Sequence, residues 1–213
     1  MAKRCLRYLK ETTANGLTFY ANGPDTTIGY CDGDHGSGED GKSIMGYVFL
    51  FKGSAISWQA KKQNTVSLSS TEAEYGALTQ ASKEVLWLQK LFKDLKREEY
   101  APQILYSDNQ GAIALANNPQ FHARTKHIDI QVHFIRQCVN DGPIALNYCP
   151  TEEMIADILT KALGKQKHEG FVEMLGMESA SPSPAKDQQK ARAWKASGSV
   201  EVAPPKPLPS HLA

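Results

Sequence analysis

Apolar and polar positions change period several times along the chain, and each change predicts an element. A short helix carrying Lys3, Arg4, Arg7 and Lys10 spans 1–12, and a strand follows near 16–20. Runs rich in β-branched and aromatic residues predict strands at 27–31, 43–51 and 54–59, the last two joined by the turn residues Lys52 and Gly53. Three strands in succession suggest an antiparallel meander. A helical period takes over at 70 and runs to about 96, with Leu78, Ala81, Val85 and Leu88 on one face. A strand at 103–106, a short helix at 109–117, a helix at 125–140, a strand at 144–148 and a last helix at 152–163 complete the order. In the 125–140 helix, Ile128, Val132, Ile135 and Val139 form the packing stripe. The order βββαβααβα predicts an α/β fold with a mixed sheet.

From about Glu178 the pattern stops. Ser, Pro, Ala and Lys dominate, ending in Ala-Pro-Pro-Lys-Pro-Leu-Pro, a composition too poor in apolar surface to offset the entropy of ordering it. Residues 178–213 are therefore expected to be a disordered tail, leaving one domain, as the 213-residue length with 41% hydrophobic content allows. Its 24 basic and 23 acidic residues nearly cancel, so any nucleic-acid binding must come from local patches. Cys5, Cys31, Cys138 and Cys149 form no CxxC pair, which points to free thiols in a reducing compartment. No apolar run is long enough to cross a membrane, and an intracellular protein of cytoplasm or nucleus is expected.

Candidate chemistry lies in the carboxylates. The second and fifth predicted strands each run into an aspartate, Asp32 after Ile28-Gly29-Tyr30-Cys31 and Asp108 after Ile104-Leu105-Tyr106-Ser107. Ligands gather at the carboxyl ends of neighbouring strands in open α/β sheets, so adjacent strands would bring these aspartates together. The long helix offers Glu72 and Glu74. Ser69 and Glu72 have capping-box spacing, whereas Glu74 shares the face of Leu78, Ala81, Val85 and Leu88. A carboxylate on a buried face is costly unless paired, and a cation shared with two aspartates would pair it. Asp157 reads equally as a fourth ligand or as a surface partner of Lys161 at i+4. Clustered carboxylates suit Mg²⁺ or Mn²⁺, and two such ions about 3.5–4 Å apart support in-line displacement at phosphorus.

Lys61 and Lys62, between a strand and the long helix, with Trp58 beside them, are candidate contacts to a nucleic-acid backbone; Arg124 and Lys126 form a second basic spot. His122, His127, His133 and Cys138 lack the spacing of zinc ligands on one helical face, and no zinc site is expected.

Seven stretches carry a family resemblance, in order: Gly29-Tyr30-Cys31-Asp32-Gly33-Asp34, Met45-Gly46-Tyr47-Val48-Phe49, the run from Ile56 to Gln63, the run from Leu68 to Tyr75, Leu105-Tyr106-Ser107-Asp108-Asn109-Gln110, the run from Arg124 to Ile130, and Ala156-Asp157-Ile158-Leu159-Thr160-Lys161. From residue 2 to about 177 the chain resembles the ribonuclease H domain that closes the polyprotein of copia-type LTR retrotransposons. The resemblance implies a ribonuclease H-like fold with a five-stranded mixed sheet flanked by helices. It implies hydrolysis of the RNA strand of an RNA–DNA hybrid, and metal-binding carboxylates at Asp32, Glu74, Asp108 and Asp157. It makes residues 1–15 the end of a connection to a reverse transcriptase absent from this chain, and 16–177 the nuclease domain.

This chain departs from the family's pattern at His35, where an aromatic is usual, and at Gly38-Glu39-Asp40-Gly41, where basic residues are usual. Negative charge there weakens the hold on a polyanion. The competing function is accordingly a catalytically silent ribonuclease H-fold remnant, acting at most as a weak nucleic-acid or protein interaction module. An integrase-like strand transferase fits less well, since those enzymes lack a glutamate on the first long helix.

Overall fold

The computed structural model describes residues 2–117, 126–140, 142 and 144–179. Arg124, His122 and the tail from 180 onward lie outside these residues, as do the side chains of Lys126 and His127. The elements are α1 (Ala2–Glu11), β1 (Asn15–Leu17), β2 (Ile28–Asp34), β3 (Ile44–Phe51), β4 (Ser54–Lys62), α2 (Ser70–Asp94), a 3-10 turn at Glu98–Tyr100, β5 (Ile104–Ser107), α3 (Gln110–Asn117), α4 (Lys126–Asn140), β6 (Ala145–Tyr148), α5 (Asp157–Thr160), α6 (Lys165–Met174) and β7 (Met177–Ser179).

Five strands form one mixed sheet in the order β4-β3-β2-β5-β6. β2, β3 and β4 are the expected antiparallel meander, while β5 and β6 run parallel to β2. The hairpin between β3 and β4 turns through Lys52 and Gly53, both at positive φ (51° and 81°), the backbone that matches the twist of a tight hairpin.

β3 is buried along six of its eight residues because both faces of the sheet are covered. On one side Phe49 and Tyr47 pack with the α2 stripe of Leu78, Ala81, Val85 and Leu88 and with Val132 and Ile135 of α4. On the other, Val48, Leu50 and Ala55 pack against Ile155, Leu159 and Leu175. Alternation along a strand sends successive side chains to opposite layers, which is how one strand serves two cores.

Three boundaries differ from expectation. The last helix, expected over 152–163, is a single turn at Asp157–Thr160. Met154, Ile155 and Ala156 are consecutive and all buried, a pattern no helix face accommodates, so the chain passes through the core there as an irregular segment. A separate helix, α6, then follows where none was expected. Finally, Glu178 and Ser179 belong to β7, paired antiparallel with β1, so the ordered fold runs past the boundary expected at 178. Tyr20 donates to Glu178 Oε1 at 2.7 Å and fixes that register.

Candidate functional site

Strand β2 extends through Asp32 to Asp34, and β5 ends at Ser107 with Asp108 next in sequence. Their parallel pairing sets the two aspartates at the same end of adjacent strands. The third carboxylate arrives through a close approach. Residue 33 is glycine, and a Cβ there would lie 2.5 Å from the Ala73 carbonyl oxygen and 2.7 Å from the Glu74 nitrogen. The first turn of α2 therefore rests directly on the β2 backbone, and Gly33 N–H donates to Glu74 Oε2 at 3.0 Å. Ser69 caps that turn, accepting from Glu72 N at 3.1 Å, while Glu72 Oε2 accepts from Leu68 N at 2.8 Å. Glu72 is thus the capping residue and Glu74 the inward one.

Asp32, Glu74 and Asp108 each offer an oxygen within 4.8 Å of the others. Asp32 is fully buried, Glu74 is nearly so, and Asp108 is half-buried and accepts from Thr151 Oγ1 at 2.8 Å. The electrostatics are those of an incompletely compensated cluster. Burial, and then the charges of Asp32 and Asp108, push the Glu74 carboxyl up to about 9. Asp32 is raised by burial as well, against the Thr160 hydroxyl and the Lys161 ammonium, which lower it. Three oxygen-only ligand groups, crowded together and two of them shut off from water, form a donor set that fits a hard divalent cation. That crowding is the structural sign that the residues suit one.

Asp157 lies beside this cluster with a different set of partners. It is fully buried at the start of α5. Its Oδ1 accepts from Lys161 Nζ at 2.7 Å and its Oδ2 from Lys167 Nζ at 2.8 Å. Lys161 Nζ also reaches Asp32 Oδ1 at 2.9 Å, and Thr160 Oγ1 donates to Asp32 Oδ2. Lys161 is therefore a bridge between two buried carboxylates, not the ordinary surface pair its i+4 spacing allowed. Burial works against its charge, but the hydrogen bonds and charges of Asp157 and Asp32 prevail and hold its ammonium above the usual lysine range. α5 can come this close because residue 46 is glycine: a Cβ there would meet Leu159 Cβ at 2.8 Å and Thr160 Cγ2 at 2.9 Å.

The candidate nucleic-acid contacts separate. Trp58, Lys61 and Lys62 all lie on β4 and not in a turn after it, and all are exposed. Trp58 is 57% exposed, so its ring is open to solvent and is not part of the core. Lys62 Nζ sits 3.1 Å from Asp40 Oδ1, inside the loop where the sequence carries acidic residues. Residues that the sequence reading passed over are Thr151, Thr160 and Lys167. Lys167 donates both to Asp157 and, at 3.1 Å, to the Thr151 carbonyl, so one polar network runs from Asp108 through Thr151, Lys167, Asp157 and Lys161 to Asp32. No local spacing signals it, because it joins parts of the chain far apart in sequence.

A mixed sheet of order β4-β3-β2-β5-β6, with acidic side chains meeting at the ends of its parallel pair, has the architecture of ribonuclease H. An RNase H1 isolated from compost by a metagenomic approach shares the fold, with a TM-score of 0.50 at 19% identity over 64% of this chain and 94% of that one. No family model matches the chain. Among sequences, it is 44% identical over 180 residues, 83% of its length, to the retrovirus-related Pol polyprotein from transposon TNT 1-94 of Nicotiana tabacum. It is 37% identical over 182 residues, 85% of its length, to the corresponding polyprotein from transposon RE1 of Arabidopsis thaliana. The chain belongs to the copia-type retrovirus-related Pol polyproteins, of which it spans 13% and 12% of these two relatives' lengths.

Proposed function

We propose that this chain is a metal-dependent endoribonuclease that hydrolyses the RNA strand of RNA–DNA hybrids. The observation that carries the reading is the convergence of Asp32, Glu74 and Asp108, three carboxylates with an oxygen each inside a 4.8 Å span and, among the described residues, a basic partner only at the Asp32 edge. On this reading they hold Mg²⁺ or Mn²⁺, with Asp157 as the fourth ligand and two ions as the expected complement. When bound, the ions would activate a water and stabilise the departing oxygen at phosphorus.

The chain's own residues do the rest. Gly33 N–H fixes the Glu74 carboxylate from behind, Thr151 orients Asp108, and Thr160 orients Asp32. Each ligand is therefore held in one rotamer before substrate arrives, which limits the reorganisation left for the reaction step. Trp58 offers an exposed ring for stacking on a sugar, and Lys61 and Lys62, with Arg124 and Lys126, supply phosphate contacts. The other parts of a Pol polyprotein, a reverse transcriptase above all, are the partner in whose company the module works. Among the cysteines, Cys31, Cys138 and Cys149 are buried free thiols, in keeping with work in the reducing cytoplasm or nucleus.

A second reading rests on one contact. Asp40 neutralises Lys62, so one of the two lysines best placed for a phosphate backbone is already occupied. That favours a silent ribonuclease H-fold remnant with weak affinity for nucleic acid. Cleavage of a labelled RNA–DNA hybrid in Mg²⁺ and in Mn²⁺ separates the two, with single-stranded RNA and DNA duplex as controls. Hybrid-selective cutting that disappears in Asp108→Asn supports the nuclease. A folded chain that cuts nothing in either metal supports the remnant, and adding a reverse-transcriptase domain in cis then tests whether substrate affinity was the defect.

A further inference from the structure

The side chain of Lys161 does something that neither the cluster nor the packing requires. Its Nζ lies 2.9 Å from Asp32 Oδ1 and 2.7 Å from Asp157 Oδ1, between two carboxylates that are 0% and 1% exposed. Asp32 is common to this pair and to the cluster with Glu74 and Asp108. Two cation positions therefore share one aspartate, and the chain fills one of them with its own ammonium. Among the described residues, the other has no ammonium beyond that edge contact. Lys167 holds the remaining oxygen of Asp157 at 2.8 Å and is itself tied to the Thr151 carbonyl at 3.1 Å. Asp157 would thus keep one cationic partner if Lys161 left. Lys161 has 29% of its side chain exposed, so solvent is open to it.

We propose that Lys161 is an internal competitor for the second divalent ion: the first ion enters among Asp32, Glu74 and Asp108 with Lys161 in place, and the second binds between Asp32 and Asp157 only as Lys161 swings out. This rests on the metal-centre reading and extends it to the order and strength of loading. An ammonium and a divalent ion cannot occupy the same gap between two carboxylates, so occupancy by one is affinity lost by the other. Lys161 acts here as a positioning residue, through the carboxylates and not on the substrate.

The test is uptake of Mn²⁺ by the full chain without nucleic acid, followed by isothermal calorimetry and by electron paramagnetic resonance of the free ion. The wild type is expected to take one ion tightly and a second weakly. In Lys161→Met the second is expected to tighten on the order of tenfold, the size of an ordinary coupling between adjacent sites, with the first changed far less. Because that variant leaves two buried carboxylates facing each other and can fail to fold, a second measurement uses the wild type. Acetylation of Lys161 by an N-hydroxysuccinimide ester, read by mass spectrometry, is expected to be slow without ions and after the first, and faster at Mn²⁺ concentrations that fill the second. Two-ion uptake with the same second affinity in both proteins, or a labelling rate indifferent to Mn²⁺, overturns the proposal and leaves the metal centre standing. Absence of any uptake by the wild type, equal to that of Asp108→Asn, overturns the metal centre and this inference together.

Discussion

Asp157 and Glu74 are both carboxylates almost sealed from water, at 0% and 7% exposure, and the fold completes only one of them. Asp157 meets an ammonium at each oxygen. Glu74 meets one backbone N–H and two further carboxylates. Left with those two neighbours and one N–H, the buried Glu74 holds its proton in the protein without ions. Burial alone therefore does not mark a site. What marks it is a set of clustered acids whose counter-charge the described residues supply only in part.

The largest expected effect comes from emptying the less compensated side. Asp32→Asn or Asp108→Asn should reduce hybrid cleavage by more than the roughly 10–100-fold typical of outer-shell changes around a metal, since a ligand itself is lost. Steady-state rates on a labelled hybrid, with circular dichroism to confirm folding, measure it. Full activity in either variant would remove the cluster from the mechanism.

Next in size is the close approach that builds the cluster. Gly33→Ala drives a methyl group into the α2 backbone and should cost about 1–3 kcal/mol, as other overpacked sites do, by urea unfolding. Because α2 must withdraw, Mn²⁺ affinity should fall with it. Stability lost without any change in affinity would show that Glu74 is not placed by this contact.

A pH series sharpens the comparison without altering a ligand's position. The folded, ion-free protein binds the Glu74 proton more tightly than the unfolded chain does, since the carboxyl moves from 4.5 up to about 9. That contribution to stability is whole below the unfolded value and is lost as pH rises through the interval toward about 9. The melting temperature without metal should therefore decline across this window, Mg²⁺ should reverse the decline, and Glu74→Gln should flatten it. A wild-type curve as flat as that of the variant would contradict the assignment.

The smallest effects belong to the compensated side and to the cap. Lys167→Ala should cost no more than about 1 kcal/mol, because Lys167 is partly in water and Lys161 still holds Asp157. Ser69→Ala should cost about 1 kcal/mol through the lost cap. Calorimetry with Mn²⁺ should find the first-ion affinity unchanged in both, against its fall in Gly33→Ala.

The less compensated side was the legible one. Asp32 and Asp108 stand where strand patterns end, and Glu74 falls on the apolar face of a helix whose period is plain, so each position carried its own signal. The compensated side was not legible, since Asp157 owes its surroundings to contacts across the chain. Lys161 meets Asp32 across 129 positions in sequence. Lys167 comes from α6, whose short and weakly patterned sequence predicted no element. The meander and the mixed character of the sheet followed from strand order, whereas the shortened α5 could not, because buried residues in an irregular segment obey no period.

The small ladder of β1 and β7 has a consequence for how this fold can be joined to others. Asn15 pairs with Ser179 and Leu17 with Met177, and Thr18 N–H donates to the Gly176 carbonyl at 2.9 Å. Asn15 and Ser179, which bracket the five-stranded sheet in sequence, thus lie side by side at antiparallel-strand spacing of about 5 Å. A module with doorway and exit on one sill can be spliced into a loop of another protein, or excised and closed on itself by a short linker, without stretching its sheet.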